Sequence, residues 1–266
     1  MQTSSQPLNI QDLSAILNGM ISGQPENFLK FAQIYEQSLA QLAVSDKKPT
    51  VIEATDDDAF RDPNIKGIQF NFQDPRLPAK YTDATNLQIG RYEDIVDKEL
   101  EQLAPHLGRF SNLKKFTLDF HEVDTISDEG VLKLVSSIAN MKLLETLELE
   151  LYQCVKLTDK SICELAKMIS GLVLLKNMHL DWRCSQDITD PSIIQLADSL
   201  KSLPELEHFY LYLSWNKELT DNSIKQLSSA LSNLRKLSHF DLFLTGCEKL
   251  TDQSVYDIAK GLSNAT

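Results

Sequence analysis

The chain has 266 residues, with 38 Asp and Glu against 26 Lys and Arg, for a net charge of −12. That balance argues against nucleic acid or an anionic membrane as the main partner and favours a protein with a basic segment. No apolar run approaches the ~18 residues of a membrane span, and "MQTSSQPLNI" lacks the charged-then-apolar form of a secretory leader, so the expected location is the cytoplasm.

In chain order, "NIQDLSAILNGMI" and "PENFLKFAQIYEQSLAQLA" place apolar residues at helical spacing, so 1–45 reads as an N-terminal helical segment. Residues 46–66 form a charged linker carrying two prolines, a composition that stays solvated. "IKGIQFNF" alternates at Ile68, Phe70 and Phe72, which predicts a strand over 67–72 capping whatever follows.

From about Thr82 the chain repeats itself every 31 residues. Asp128, Asp159, Asp190, Asp221 and Asp252 keep that spacing inside the phrases "TISDEGV", "KLTDKSI", "DITDPSI", "ELTDNSI" and "KLTDQSV". Leu118, Leu149, Leu180, Leu211 and Leu242 keep it too, as do Leu134, Leu165, Leu196, Leu227 and Ile258, with units starting near 113, 144, 175, 206 and 237 and a fainter one near 82. A fixed period of this kind is the mark of a solenoid in which each unit stacks on the next. Within a unit, Leu147, Leu149 and Leu151 alternate as in a strand, and then Ile162, Leu165, Ala166 and Ile169 follow helical spacing. The repeated phrase lies at the switch, where Thr158 or Asp159 can cap the helix. The fold class is therefore α/β, a strand–helix solenoid over 67–266.

The pattern L-x-x-L-x-L-x-L, then L-T-D, I-x-x-L and "LSNLRKL", resembles leucine-rich repeats of the ribonuclease-inhibitor-like and cysteine-containing types. The unit is longer than the usual 20–29 residues, and the cysteine position holds Cys154 and Cys247 but Val123, Ser185 and Asn216 elsewhere. The resemblance implies right-handed units with a parallel sheet on a concave face and helices on the convex one. It also implies a cytoplasmic setting, with cytoskeletal or ciliary proteins of protists as common bearers of such regular arrays. The helical pair in 1–45 is faintly similar to an F-box, without that module's prolines and tryptophan, which implies a ubiquitin-ligase substrate receptor as an alternative. A third reading, small-GTPase regulation, would rest on Arg183, the one arginine in the predicted strand segments.

Nothing in the motif inventory points to an enzyme: G-x-G-x-x-G, G-x-x-x-x-G-K, H-E-x-x-H and G-x-S-x-G are all missing. Cys154, Cys163, Cys184 and Cys247 sit in different repeats without metal-ligand spacing and read as reduced, mostly core-facing thiols. His208 and His239 fall one period apart and read as solvated. The expectation is a protein-binding scaffold without cofactor or metal.

Reading across strands locates the expected binding face. If Leu149 and its counterparts point inward, three rows point out: Thr117, Glu148, His179, Tyr210 and Asp241; Asp119, Glu150, Asp181, Tyr212 and Phe243; His121, Tyr152, Arg183, Ser214 and Thr245. One end is acidic and the other aromatic, which suits a basic segment held by carboxylates and rigid rings. The last unit, with Phe240, Leu242 and Leu244, is expected to leave an apolar edge that contacts another protein or a second copy.

Overall fold

The structure is a computed structural model and describes residues 86–89, 95–108, 110–185 and 187–263. The expected helical segment at 1–45, the linker at 46–66 and the cap strand at 67–72 lie outside the described residues.

Six strands and six helices alternate: β1 (Asn86–Ile89), α1 (Asp97–Leu107), β2 (Lys115–Asp119), α2 (Asp128–Ile138), β3 (Thr146–Glu150), α3 (Asp159–Ile169), β4 (Asn177–Asp181), α4 (Asp190–Leu200), β5 (His208–Tyr212), α5 (Asp221–Leu231), β6 (His239–Phe243) and α6 (Asp252–Ser263). The strands form one parallel sheet in sequence order, and each helix packs on the next. The result is an α/β solenoid, leucine-rich-repeat-like in its path. Register follows the period, with Leu118 opposite Leu149 and Leu149 opposite Leu180. These residues join Leu134, Leu165 and Leu196 in a single continuous core between sheet and helices.

Beyond β2, β3, β4 and β5 the ladder continues into the turn; after β2, Phe120 N–H donates to Glu150 C=O at 2.8 Å and Glu122 N–H to Tyr152 C=O at 2.7 Å. The same turn position has positive φ in five consecutive repeats: Glu122, Gln153, Cys184, Trp215 and Gly246. One residue later, side chains answer the turn's buried polar groups. Cys154 Sγ lies 3.0 Å from Phe120 C=O, and Cys247 Sγ lies 3.2 Å from Leu213 C=O. Asn216 Nδ2 donates to Trp182 C=O at 2.8 Å, while its Oδ1 accepts from Ser185 N–H at 3.0 Å. A buried peptide group left unanswered would be costly, which gives Cys154, Asn216 and Cys247 a role here that Val123, at the same position, does not share. Cys154 and Cys247 are buried as expected, whereas Cys163 and Cys184 are partly exposed.

The repeated phrase divides its labour between two residues. Thr158 Oγ1 accepts from Lys160 N–H at 3.2 Å and caps α3, and Ser127, Thr220 and Thr251 do the same for α2, α5 and α6. Thr189 makes no such bond, because the donor two residues on would be Pro191, which has no N–H. The aspartate turns the other way and reaches into the following repeat. Asp97 accepts from Ser127, Asp128 from Thr158, Asp159 from Thr189, Asp190 from Thr220 and Asp221 from Thr251, each through both the backbone N–H and the hydroxyl. Ser192 and Ser254 add a third bond, to Asp159 and Asp221.

In the last repeat Phe240 is 2% exposed, so the expectation of an uncovered Phe240 does not hold; on its β5 side the tilted ring of Phe209 lies 5.4 Å away, centroid to centroid. Leu242 and Leu244 are only partly buried, whereas Leu211 and Leu213 are fully so.

Candidate functional site

The open face of the sheet, away from the helices, carries the alternate residues of each strand. Cα register sets Asp119, Glu150, Asp181, Tyr212 and Phe243 in one row, and Thr117, Glu148, His179, Tyr210 and Asp241 in another. Exposure differs from the expectation of a fully solvated face. Asp181 is 2% exposed, Tyr212 8%, Phe243 7% and Thr117 5%. The cause is mutual cover by neighbours on the same face.

At the acidic end, Glu148 accepts from Thr117 Oγ1 at 2.7 Å and pairs with Lys115. Asp119 holds His121 through both the backbone N–H, at 3.2 Å, and ring Nδ1. Asp181 holds Arg183 in a fork, with Nε 2.8 Å from Oδ1, and Nη2 against Oδ2. Glu150 stands between these two pairs, and two residues after it comes Tyr152 where its neighbours have a base. Among the described residues no donor hydrogen-bonds to the Glu150 carboxylate, and burial, followed by the charges of Asp119 and Asp181, pushes it up to about 7. Of the three carboxylates in this row, Glu150 alone has no basic residue two positions on.

At the aromatic end, the rings of Tyr212 and Phe243 pack at a tilt of 59° with centroids 4.2 Å apart, and His179 meets Tyr212 edge-on at 4.8 Å. Burial lowers the pKa of His179, whose Nε2 finds no hydrogen-bond partner. Burial raises that of Tyr212 well above the usual phenol range. Tyr210 is half-buried and leans on His239 at 5.2 Å. Arg183 ties the two ends together, its guanidinium 4.8 Å from the Tyr152 ring centroid and 5.4 Å from that of Tyr212. It is thus forked to Asp181 and lies between two rings of the same face. His208 and His239 do lie side by side, at 6.1 Å, but both are half-buried rather than solvated.

The structure also gathers a group that the reading of the rows did not single out. One ligand atom each from Asp119, His121 and Glu150 lie within 4.8 Å of one another. The signal was present as Asp119-x-His121 with a carboxylate one period after Asp119. It carries little weight in a chain with 38 acidic residues.

No protein-family model matches the chain, and no curated protein matches it in sequence. Among solved structures it is similar to a leiomodin-1 actin-binding site 2, at 12% identity over 64% of this chain and 90% of that one, with TM-score 0.46. It is similar to a Caenorhabditis elegans tropomodulin C-terminal domain at 13% identity over 71% and 89%, with TM-score 0.42. A third is the yeast Rad7 and Elc1 complex, at 16% identity over 70% of this chain and 50% of that one, with TM-score 0.40. Among the described residues no helix is long and apolar enough to cross a membrane.

Proposed function

We propose that the protein is a non-enzymatic scaffold that binds a basic segment of a partner protein across the open face of its sheet. The observation that carries this reading is Glu150, a half-buried carboxylate without a hydrogen-bond donor among the described residues, flanked by acids that already hold His121 and Arg183. A lysine or arginine from a partner supplies the missing charge. Tyr152, two residues after it, and Tyr210, two strands away on the same face, are partly exposed and offer rigid rings of the type that anchors interfaces. Cytoplasmic assemblies, cytoskeletal or ciliary, are the first place to look for that partner, a setting that rests on the family resemblance.

The test is quantitative capture from native lysate with the full chain as bait, comparing wild type with Glu150→Gln, Asp119→Asn and Tyr210→Ala. The carboxylate variants should slow association and flatten its salt dependence, and Tyr210→Ala should speed dissociation. A partner retained equally by all three variants, with circular dichroism unchanged, moves the site off this face. An adaptor held through residues 8–45 would favour a ligase receptor instead.

A further inference from the structure

We propose that Asp119, His121 and Glu150 form a binding site for a divalent transition-metal ion of the zinc class. The three side chains come from two adjacent strand ends on a regular sheet. Asp119 closes β2, His121 follows in the turn held by Glu122 at φ 59°, and Glu150 closes β3 directly opposite Asp119. Their ligand atoms lie within 4.8 Å of one another and all three side chains are half-buried, so the group has a supported side and an open side. It is the one such group of three among the described residues.

Two features make this more than a chance gathering of acids. The donor set includes an imidazole, which suits zinc and its neighbours, whereas magnesium and calcium prefer an all-oxygen shell of six or more ligands. The local charge is also unbalanced. Lys115 is committed to Glu148 and Arg183 to Asp181, and among the described residues no donor hydrogen-bonds to Glu150. A metal drawn between the three ligands would replace the present contact of His121 Nδ1 with Asp119 and would neutralise both carboxylates. Three protein ligands leave a fourth position open to water or to a group from outside. Because the same acids form one end of the open face, an occupied site would weaken docking of a basic segment. That consequence rests on the reading above, but the metal site does not.

The experiment is isothermal titration calorimetry of the full chain with zinc chloride, repeated with magnesium chloride and with His121→Ala, Glu150→Gln and, as a control, His208→Ala. One zinc per chain is expected. His121→Ala and Glu150→Gln should each weaken it by about tenfold or more, since loss of an outer-sphere partner alone costs about 10–100-fold. His208→Ala should leave it unchanged. No saturable zinc binding, binding that survives His121→Ala, or magnesium binding as tight as zinc would each overturn the site. Circular dichroism of both ligand variants guards against misfolding. A labelled lysine-rich peptide added to zinc-loaded and zinc-free protein tests the linkage. Equal affinity in the two would sink the competition alone and leave the calorimetric result standing.

Discussion

The carboxylate of Asp159 accepts a hydrogen bond at 2.8 Å from the backbone N–H of Thr189, the residue that occupies in its own repeat the place of Thr158. It also takes the Thr189 and Ser192 hydroxyls, so one acid joins α3 to the start of α4. Hydrogen bonds to charged groups contribute about 1.5–3 kcal/mol each in favourable settings. Asp159→Ala should therefore lower stability by about 2–4 kcal/mol, since it also leaves a part-buried N–H unanswered. Urea denaturation followed by circular dichroism reads this directly. Asp198→Asn, at an exposed position of α4, should change stability by no more than about 0.5 kcal/mol, and a similar cost for both would show that the link contributes nothing.

Two groups of carboxylates should give stability opposite slopes with pH. Burial opposes ionisation of Asp128, but hydrogen bonds from Ser161 and Thr158 outweigh it and hold the acid below its ordinary value; Asp221 is held down in the same way, against burial, by Ser254 and Thr251. Each binds its proton more weakly when folded. The stability they contribute is complete above the ordinary value of 3.8 and is lost as pH falls through the lower folded values. Glu150 has the reverse sign. Between its ordinary 4.5 and about 7, the folded chain holds a proton that the unfolded chain has released, so stability falls as pH rises through that window. Glu150→Gln should match wild type near pH 4 and exceed it at pH 8. A wild-type curve that coincides with the variant from pH 4 to 8 would rule out the unpaired acid.

Tyr212 and Phe243 should behave as structural residues despite their place on the open face. Phe243→Ala removes a ring 7% exposed and packed against Tyr212, so a loss of about 2–4 kcal/mol is expected. Tyr210→Ala, half-exposed, should cost about 1 kcal/mol or less. Thermal unfolding of the two variants side by side distinguishes them, and equal midpoints would return Phe243 to the solvated face.

Gly246 has φ 75°, and a Cβ there would stand 2.5 Å from the Trp215 ring. Gly246→Ala should cost about 1–2 kcal/mol in backbone terms and should shift the emission of Trp215, which is 51% exposed. An unaltered emission maximum together with unaltered stability would contradict the close approach.

Much of the architecture is legible in the sequence because two periods are superimposed. Leu147, Leu149 and Leu151 alternate, Ile162, Leu165 and Ile169 do not, and a 31-residue repeat locks both in place. The register Leu118–Leu149–Leu180 follows without further information. The partner of Asp159 was not legible, since a helix-starting aspartate explains itself locally and its actual acceptor role lies 30 residues downstream. Alternation gives the direction of Asp181 and Phe243 but not their exposure. Cover of Asp181 by Arg183, two residues along the same segment, and of Phe243 by Tyr212 across strands is a matter of side-chain reach, which spacing does not encode.

The aspartate link also acts as a ruler on the gene. Loss of a single codon anywhere between Asp159 and Thr189 would draw the threonine out of reach by up to ~3.5 Å unless the turn were rebuilt. Loss of 31 consecutive codons would bring Asp128 to Thr189 in the place of Thr158, with every donor restored. Insertions and deletions in this array should therefore be tolerated as whole units, so its length can change by duplication or excision far more readily than its period can drift.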